Sequence, residues 1–111
     1  MSARIPAPGE PARGSGSGRP IMALLDLLGR RWSLRVLWEL REGPVPFRAL
    51  QERCGGMSSS VLSQRLAELR KAEILERDAD GYRLTVEGER LLGGLAPLQS
   101  WAERWAVRVE R

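Results

Sequence analysis

Glycine and proline interrupt this 111-residue chain at Gly29, at Gly43-Pro44-Val45-Pro46, at Gly55-Gly56 and at Asp80-Gly81, so every element before residue 85 must be short. The stretches between the breaks carry helical periodicity until residue 73. A first helix is predicted from about Ile21 to Leu28, with Pro20 suited to its first turn. Leu24, Leu25, Leu27 and Leu28 make it too apolar to be solvated on all sides. Ser33 is the expected N-cap of a second helix that runs to about Glu42, with Leu34, Leu37 and Leu40 as its inner stripe. A short third helix is expected over Phe47 to Cys54, with Phe47 and Leu50 inward. Ser58 then caps a fourth, from about Ser59 to Ala72. Two strands follow, Ile74 to Arg77 and Tyr82 to Leu84, joined at Asp80-Gly81, a strong tight-turn signal. Thr85 opens a helical tail to Arg111, bent at Gly93-Gly94 and restarted near Pro97.

Two helices joined by a glycine-bearing turn and followed at once by a hairpin have the order of a winged helix-turn-helix. The predicted fold class is therefore mainly α with a small β-hairpin, dimerising through its terminal helices. Residues 1–19, rich in Pro, Gly and Ser, are expected to form a flexible tail, and residues 20–111 the folded domain.

Composition narrows the chemistry. The chain has no histidine and one cysteine, Cys54, so no His/Cys zinc cluster and no internal disulfide can be assembled. Histidine-based acid–base catalysis is excluded too, no phosphate-cradling glycine motif is present, and neither an enzyme activity nor a cofactor is expected. No apolar run approaches the roughly 20 residues that span a bilayer, the N-terminus does not read as a leader, and the expected setting is a reducing cytoplasm with no membrane contact. The formal net charge is +4. Residues 48–72 hold five cations against two acids, whereas residues 73–111 hold six against eight. The basic region of the folded part is thus its middle, which suggests a polyanionic partner. Only Lys71 among the cations is lysine, a bias that either genome composition or guanidinium chemistry would produce.

The fourth helix has the character of a DNA reader. With Leu62, Leu66 and Leu69 facing in, Ser59, Ser60, Ser63 and Gln64 form a small polar outer surface. Small side chains let a helix backbone approach base edges, and Gln can pair bidentately with adenine. Arg48, Arg65, Arg70 and Lys71 are candidate phosphate contacts, as are Arg77 and Arg83 at the base of the hairpin. A capped surface helix with a solvated face would show the same local pattern. The order of elements and the local charge favour DNA.

From Leu24 to Trp105 the chain resembles the HxlR-type winged-helix regulators of bacteria, relatives of the MarR group. The likeness rests on Leu28-Gly29-Arg30-Arg31-Trp32-Ser33-Leu34, on Gly43-Pro44 with Phe47-Arg48-Ala49-Leu50, and on Met57-Ser58 through Val61-Leu62-Ser63-Gln64-Arg65-Leu66 with Leu69. Tyr82-Arg83-Leu84-Thr85, Gly88 and Trp101 extend it. The resemblance implies a homodimer on a pseudo-palindromic operator, acting as a repressor and responding to an oxidant, aldehyde or other small electrophile. Three features depart from the family pattern. Gly18-Arg19-Pro20 stands where many members carry a sensing cysteine, Ser60 where many carry lysine, and Asp78-Ala79-Asp80-Gly81 in place of a longer basic wing loop.

Leu91, Leu95, Leu98, Ala102, Trp105 and Val109 recur at alternating spacings of four and three, a heptad-like seam. It packs either on the domain's own core or on a second copy. The second option is favoured, with Met22 and Leu25 of the first helix and with Leu95, Leu98, Trp101, Ala102, Trp105 and Val109 as interface residues. Trp32 and Trp38 are expected to be packing residues, with Trp38 off the inner stripe. Cys54, next to Arg53, is either a small buried thiol or a redox switch ahead of the reading helix. The rival to a DNA regulator is a winged helix used for protein–protein contact, with no DNA role.

Overall fold

Most helix starts follow from a local backbone cause. The computed structural model describes residues 19–110, so the tail expected over 1–19 lies, Arg19 apart, outside the described residues. Helix α1 (Pro20–Leu28) begins on the proline itself. Helix α2 spans Ser33–Glu39 and α3 spans Phe47–Arg53. Helix α4 (Ser59–Lys71) is capped by Ser58, whose Oγ accepts from the Val61 amide at 3.3 Å. The antiparallel strands β1 (Leu75–Asp78) and β2 (Gly81–Leu84) follow, then helix α5 (Val86–Val109). The Thr85 hydroxyl oxygen accepts from the Gly88 amide at 3.0 Å and lies 2.7 Å from the Glu73 carbonyl, tying α5 to the chain that enters β1.

Three expectations need correction. Ser33 is the first helical residue of α2, not its cap; the cap position is Trp32, in the left-handed conformation at φ 79°. The turn is closed by the Ser33 amide donating to the Arg30 carbonyl at 3.1 Å. That reversal carries Ser33 into the core, where its Oγ has no hydrogen-bond partner among the described residues. Helix α2 also stops three residues early, because Leu40 and Arg41 already bond back three residues as the chain tightens toward Gly43. Finally, α5 does not restart at Pro97 but runs on through it and through Gly93-Gly94. Proline leaves the Gly93 carbonyl without its helical donor, and Gly93 is exposed, so water can serve that carbonyl.

Helix α2 is the centre of the core. Val36, Leu37 and Leu40 lie against Leu27 and Leu28 of α1, Leu50 of α3, and Leu62, Leu66 and Leu69 of α4, closed below by Leu75, Tyr82 and Leu84. Leu34, expected on this stripe, is 48% exposed; Val36 takes its place.

The hairpin pairs Leu75 with Leu84 and Asp78 with Gly81, so each strand lies within one residue of its expected position. A third strand segment was hidden in Gly43-Pro44-Val45-Pro46. Val45 donates to the Tyr82 carbonyl at 2.8 Å and accepts from the Tyr82 amide at 2.9 Å. Gly81 makes this approach feasible: a Cβ there would lie 2.5 Å from the Val45 carbonyl group, and its φ of 124° suits glycine alone. The hairpin is thereby fastened to the start of α3.

Candidate nucleic-acid interface

Helices α3 and α4 and their turn form the helix-turn-helix. Gly55 and Gly56 turn the chain with φ of 78° and 74°. Gln51 closes the turn by donating from Nε2 to the Met57 carbonyl at 2.8 Å. Leu62, Leu66 and Leu69, at most 2% exposed, root α4 in the core. The helix therefore presents its opposite side outward. Ser59, Ser60 and Ser63 are exposed there, and Gln64 is half-buried beside them. Ser58 and Ser60 place their hydroxyls 3.0 Å apart at the helix start, where the backbone amides and the positive end of the helix dipole also lie.

Cations flank this surface. Arg48 is exposed in the first turn of α3, and Arg70 and Lys71 are exposed in the last turn of α4. Arg77 is exposed on β1, with its guanidinium 5.5 Å from the Tyr82 ring centre. None of the four has a carboxylate partner among the described residues, so their charge is available to a polyanion. Arg53, exposed at the end of α3, joins them. Its place in the last turn before Gly55-Gly56 was the available signal, and the sequence-derived set omits it.

Two candidates are already committed. Arg65 is turned away from the serine face: its Nε donates to the Arg31 carbonyl at 2.8 Å and its guanidinium pairs with Glu68. Arg83 is held within the hairpin by Glu76 at 2.8 Å and Asp78 at 3.1 Å. The wing tip is acidic, and Asp78 Oδ1 caps the turn by accepting from the Asp80 amide at 2.8 Å.

Cys54 is fully buried behind the turn. Burial pushes its thiol above the usual range, the Arg35 guanidinium opposes this, and the Glu39 carboxylate adds to it. The cation expected to act on it was Arg53; the structure brings Arg35 instead, which also donates to the Arg53 carbonyl at 2.7 Å. The net direction is upward, away from a reactive thiolate.

A second exposed surface is different in kind. On α5, Leu98, Trp101, Trp105 and Val109 are each more than half exposed, Ala102 is exposed, and Leu95 is half-buried. Trp101 and Trp105 stack with ring centres 5.8 Å apart. On α1, Leu25 is 54% exposed and Met22 half-buried. Between α2 and α5 lies an open groove of about 680 Å³ lined by Leu34, Trp38, Leu92, Leu95 and Leu98, with Arg35 and Arg41 at its edge. Arg41 covers the Trp38 ring at 4.1 Å. No helix among the described residues is long and apolar enough to cross a membrane, and no three potential metal ligands gather there.

Residues 27–110 match the model of the HxlR-like helix-turn-helix family. The HTH-type transcriptional regulator YodB of Bacillus subtilis is 33% identical over 87 residues, covering 72% of this chain and 78% of that one. YtfH of Escherichia coli, named as an uncharacterized HTH-type transcriptional regulator, is 34% identical over 104 residues, covering 83% and 82%. Among solved structures, quinone-bound YodB superposes with a TM-score of 0.70 at 33% identity, over 76% of this chain and 96% of the other. A possible HxlR family transcriptional factor from Thermoplasma volcanium gives 0.69 at 26% identity, over 78% and 84%. These relatives are transcriptional regulators rather than enzymes, and the hairpin beside α4 is the wing of their winged helix-turn-helix fold. With its helix-turn-helix, its hairpin and this match over most of its length, the chain belongs to the HxlR-like helix-turn-helix family of DNA-binding transcriptional regulators.

Proposed function

We propose that the protein is a sequence-specific repressor that binds a pseudo-palindromic operator in double-stranded DNA as a homodimer. One observation carries the reading: the outer face of α4 is small, polar and largely exposed, and cations without a carboxylate partner among the described residues border it. In this reading Ser59, Ser60, Ser63 and Gln64 enter the major groove. Arg48, Arg53, Arg70, Lys71 and Arg77 hold the phosphates. Arg65 and Arg83 are left out, because each already has carboxylate partners.

The apolar surface of α5, with Met22 and Leu25 of α1, supports assembly with a second copy. An isolated chain would leave two stacked tryptophans in water, and aromatic residues are typical anchors of interfaces. A two-fold assembly sets two α4 helices at a fixed spacing, as half-sites about one helical turn (roughly 34 Å) apart require. A small-molecule effector fits the likeness to a regulator whose structure holds a quinone. In this chain the sole cysteine is buried, which favours an effector that does not need Cys54 as a thiolate in the folded state.

The test is fluorescence anisotropy with the DNA upstream of the chain's own gene and with a scrambled duplex, over a range of salt. The expected result is tight binding to the first alone, falling steeply as salt rises. Absence of binding to either at low salt would overturn the reading and favour a protein-contact role.

A further inference from the structure

We propose that Glu68 is a positioning residue that sets the rotation of α4 about its own axis, through an ionic cluster joining α4 to the α1–α2 connection. The proposal rests on the sequence-specific reading given above. Four side chains, each only 12–14% exposed, meet behind the reading helix. Arg30, in the connection after α1, lies 3.3 Å from Asp26 of α1 and 3.6 Å from Glu68 of α4. Arg65 pairs with the other oxygen of Glu68 and donates to the Arg31 carbonyl. Glu68 thus holds one guanidinium with each carboxylate oxygen, one from its own helix and one from outside it.

Position on the helix gives this cluster its leverage. At 100° per residue, Arg65 and Glu68 occupy the flank between the buried Leu62–Leu66–Leu69 stripe and Gln64. The leucine stripe resists withdrawal of α4 from the core but, being non-directional, resists rolling less. The hydrogen bond from Arg65 Nε to the Arg31 carbonyl is directional, and Glu68 orients that guanidinium from within α4 while attracting Arg30 across the joint at 3.6 Å, so the cluster opposes the roll. A roll of roughly 10° moves a side-chain tip about 1 Å, given a helix radius of about 6 Å with side chains. That displacement exceeds the tolerance of about 0.5 Å for a productive binding geometry. Stability alone is a poor account of the cluster. Nearly buried ion pairs contribute little over apolar packing, and this one leaves Arg30 Nε buried with no partner among the described residues.

The experiment is anisotropy on two duplexes, one enriched from a random-sequence pool by the wild-type chain and one scrambled, with Glu68→Gln and Arg30→Met tested singly and together. Removing a carboxylate from a DNA-binding protein raises its net charge, so electrostatics alone predicts tighter binding to both duplexes. Positioning predicts the opposite sign on one of them. Glu68→Gln should lose about tenfold on the enriched duplex and nothing on the scrambled one. Arg30→Met should reduce discrimination in the same way, and the double variant should lose less than the product of the two. Thermal melts of each variant separate this from unfolding, which would weaken both duplexes together. Should Glu68→Gln not fold, Arg30→Met carries the same comparison. Discrimination unchanged in the folded variants would overturn the inference alone. Failure of the wild-type chain to enrich any sequence would overturn the underlying reading, and the inference with it.

Discussion

Two surfaces stand out from the rest of the molecule, and they are exposed for opposite reasons. The outer face of α4 is serine, glutamine and cations that have no carboxylate partner among the described residues; the outer face of α5 is leucine, valine and two stacked tryptophans. A polar surface loses nothing by standing in water, and it keeps its charge available for a partner that is itself charged and hydrated. An apolar surface of that size is costly in water, and covering it is the driving force for assembly. On the proposed function, the same 92 described residues offer one face for nucleic acid and one for a second copy, with the leucine core centred on α2 beneath them.

This contrast can be broken at either end. The largest effect is expected from Trp105→Glu, which puts a charge in the middle of the α5 seam. It should weaken the assembly by about 2–4 kcal/mol, enough to shift sedimentation from dimer to monomer at micromolar concentration. An unchanged sedimentation coefficient would place the contact elsewhere. Next is Gln64→Ala. A loss of about 1–3 kcal/mol is expected on the specific duplex only, measured by anisotropy. An equal loss on scrambled DNA would show that Gln64 reads no base. Ser58→Ala sharpens the comparison by loosening the start of α4, removing its cap and the hydroxyl 3.0 Å from Ser60 while leaving the α5 face intact. Removing this cap should lower unfolding stability by about 1 kcal/mol in urea titration, with sedimentation unchanged. The smallest effect is Lys71→Ala, which should weaken both duplexes alike and reduce the slope of log K against log salt by about 0.9.

Much of what depended on neighbours in sequence was legible. The α4 stripe of Leu62, Leu66 and Leu69, the Ser58 cap and the Asp80-Gly81 turn all follow from local periodicity and local hydrogen bonding. What depended on distant partners was hidden. Arg65 carries the same charge as Arg70, but the Arg31 carbonyl and Glu68 hold it away from the serine face. Arg83 is likewise claimed from β1, by Glu76 opposite it and by Asp78 on the diagonal. Val45 sits between two prolines and makes strand pairing only because Tyr82 comes within reach. Ser33 has the residue type of a cap, yet the left-handed turn at Trp32 drives it inside. Pro97 has the residue type of a breaker, but α5 has solvent beside it at Gly93.

The contact between Gly81 and Val45 makes the hairpin divisible. It is locked at Tyr82, one residue pair below the turn, to the segment that launches α3, while Ala79 and Asp80 have no hydrogen-bond or strand partner among the described residues outside their own turn. Extra residues inserted between those two would lengthen the loop at a small entropic cost and leave the register below them intact. The reach and charge of the tip can therefore be exchanged like a fitting on a fixed mount, so that a short acidic tip could be replaced by a long basic one without redesigning the reader.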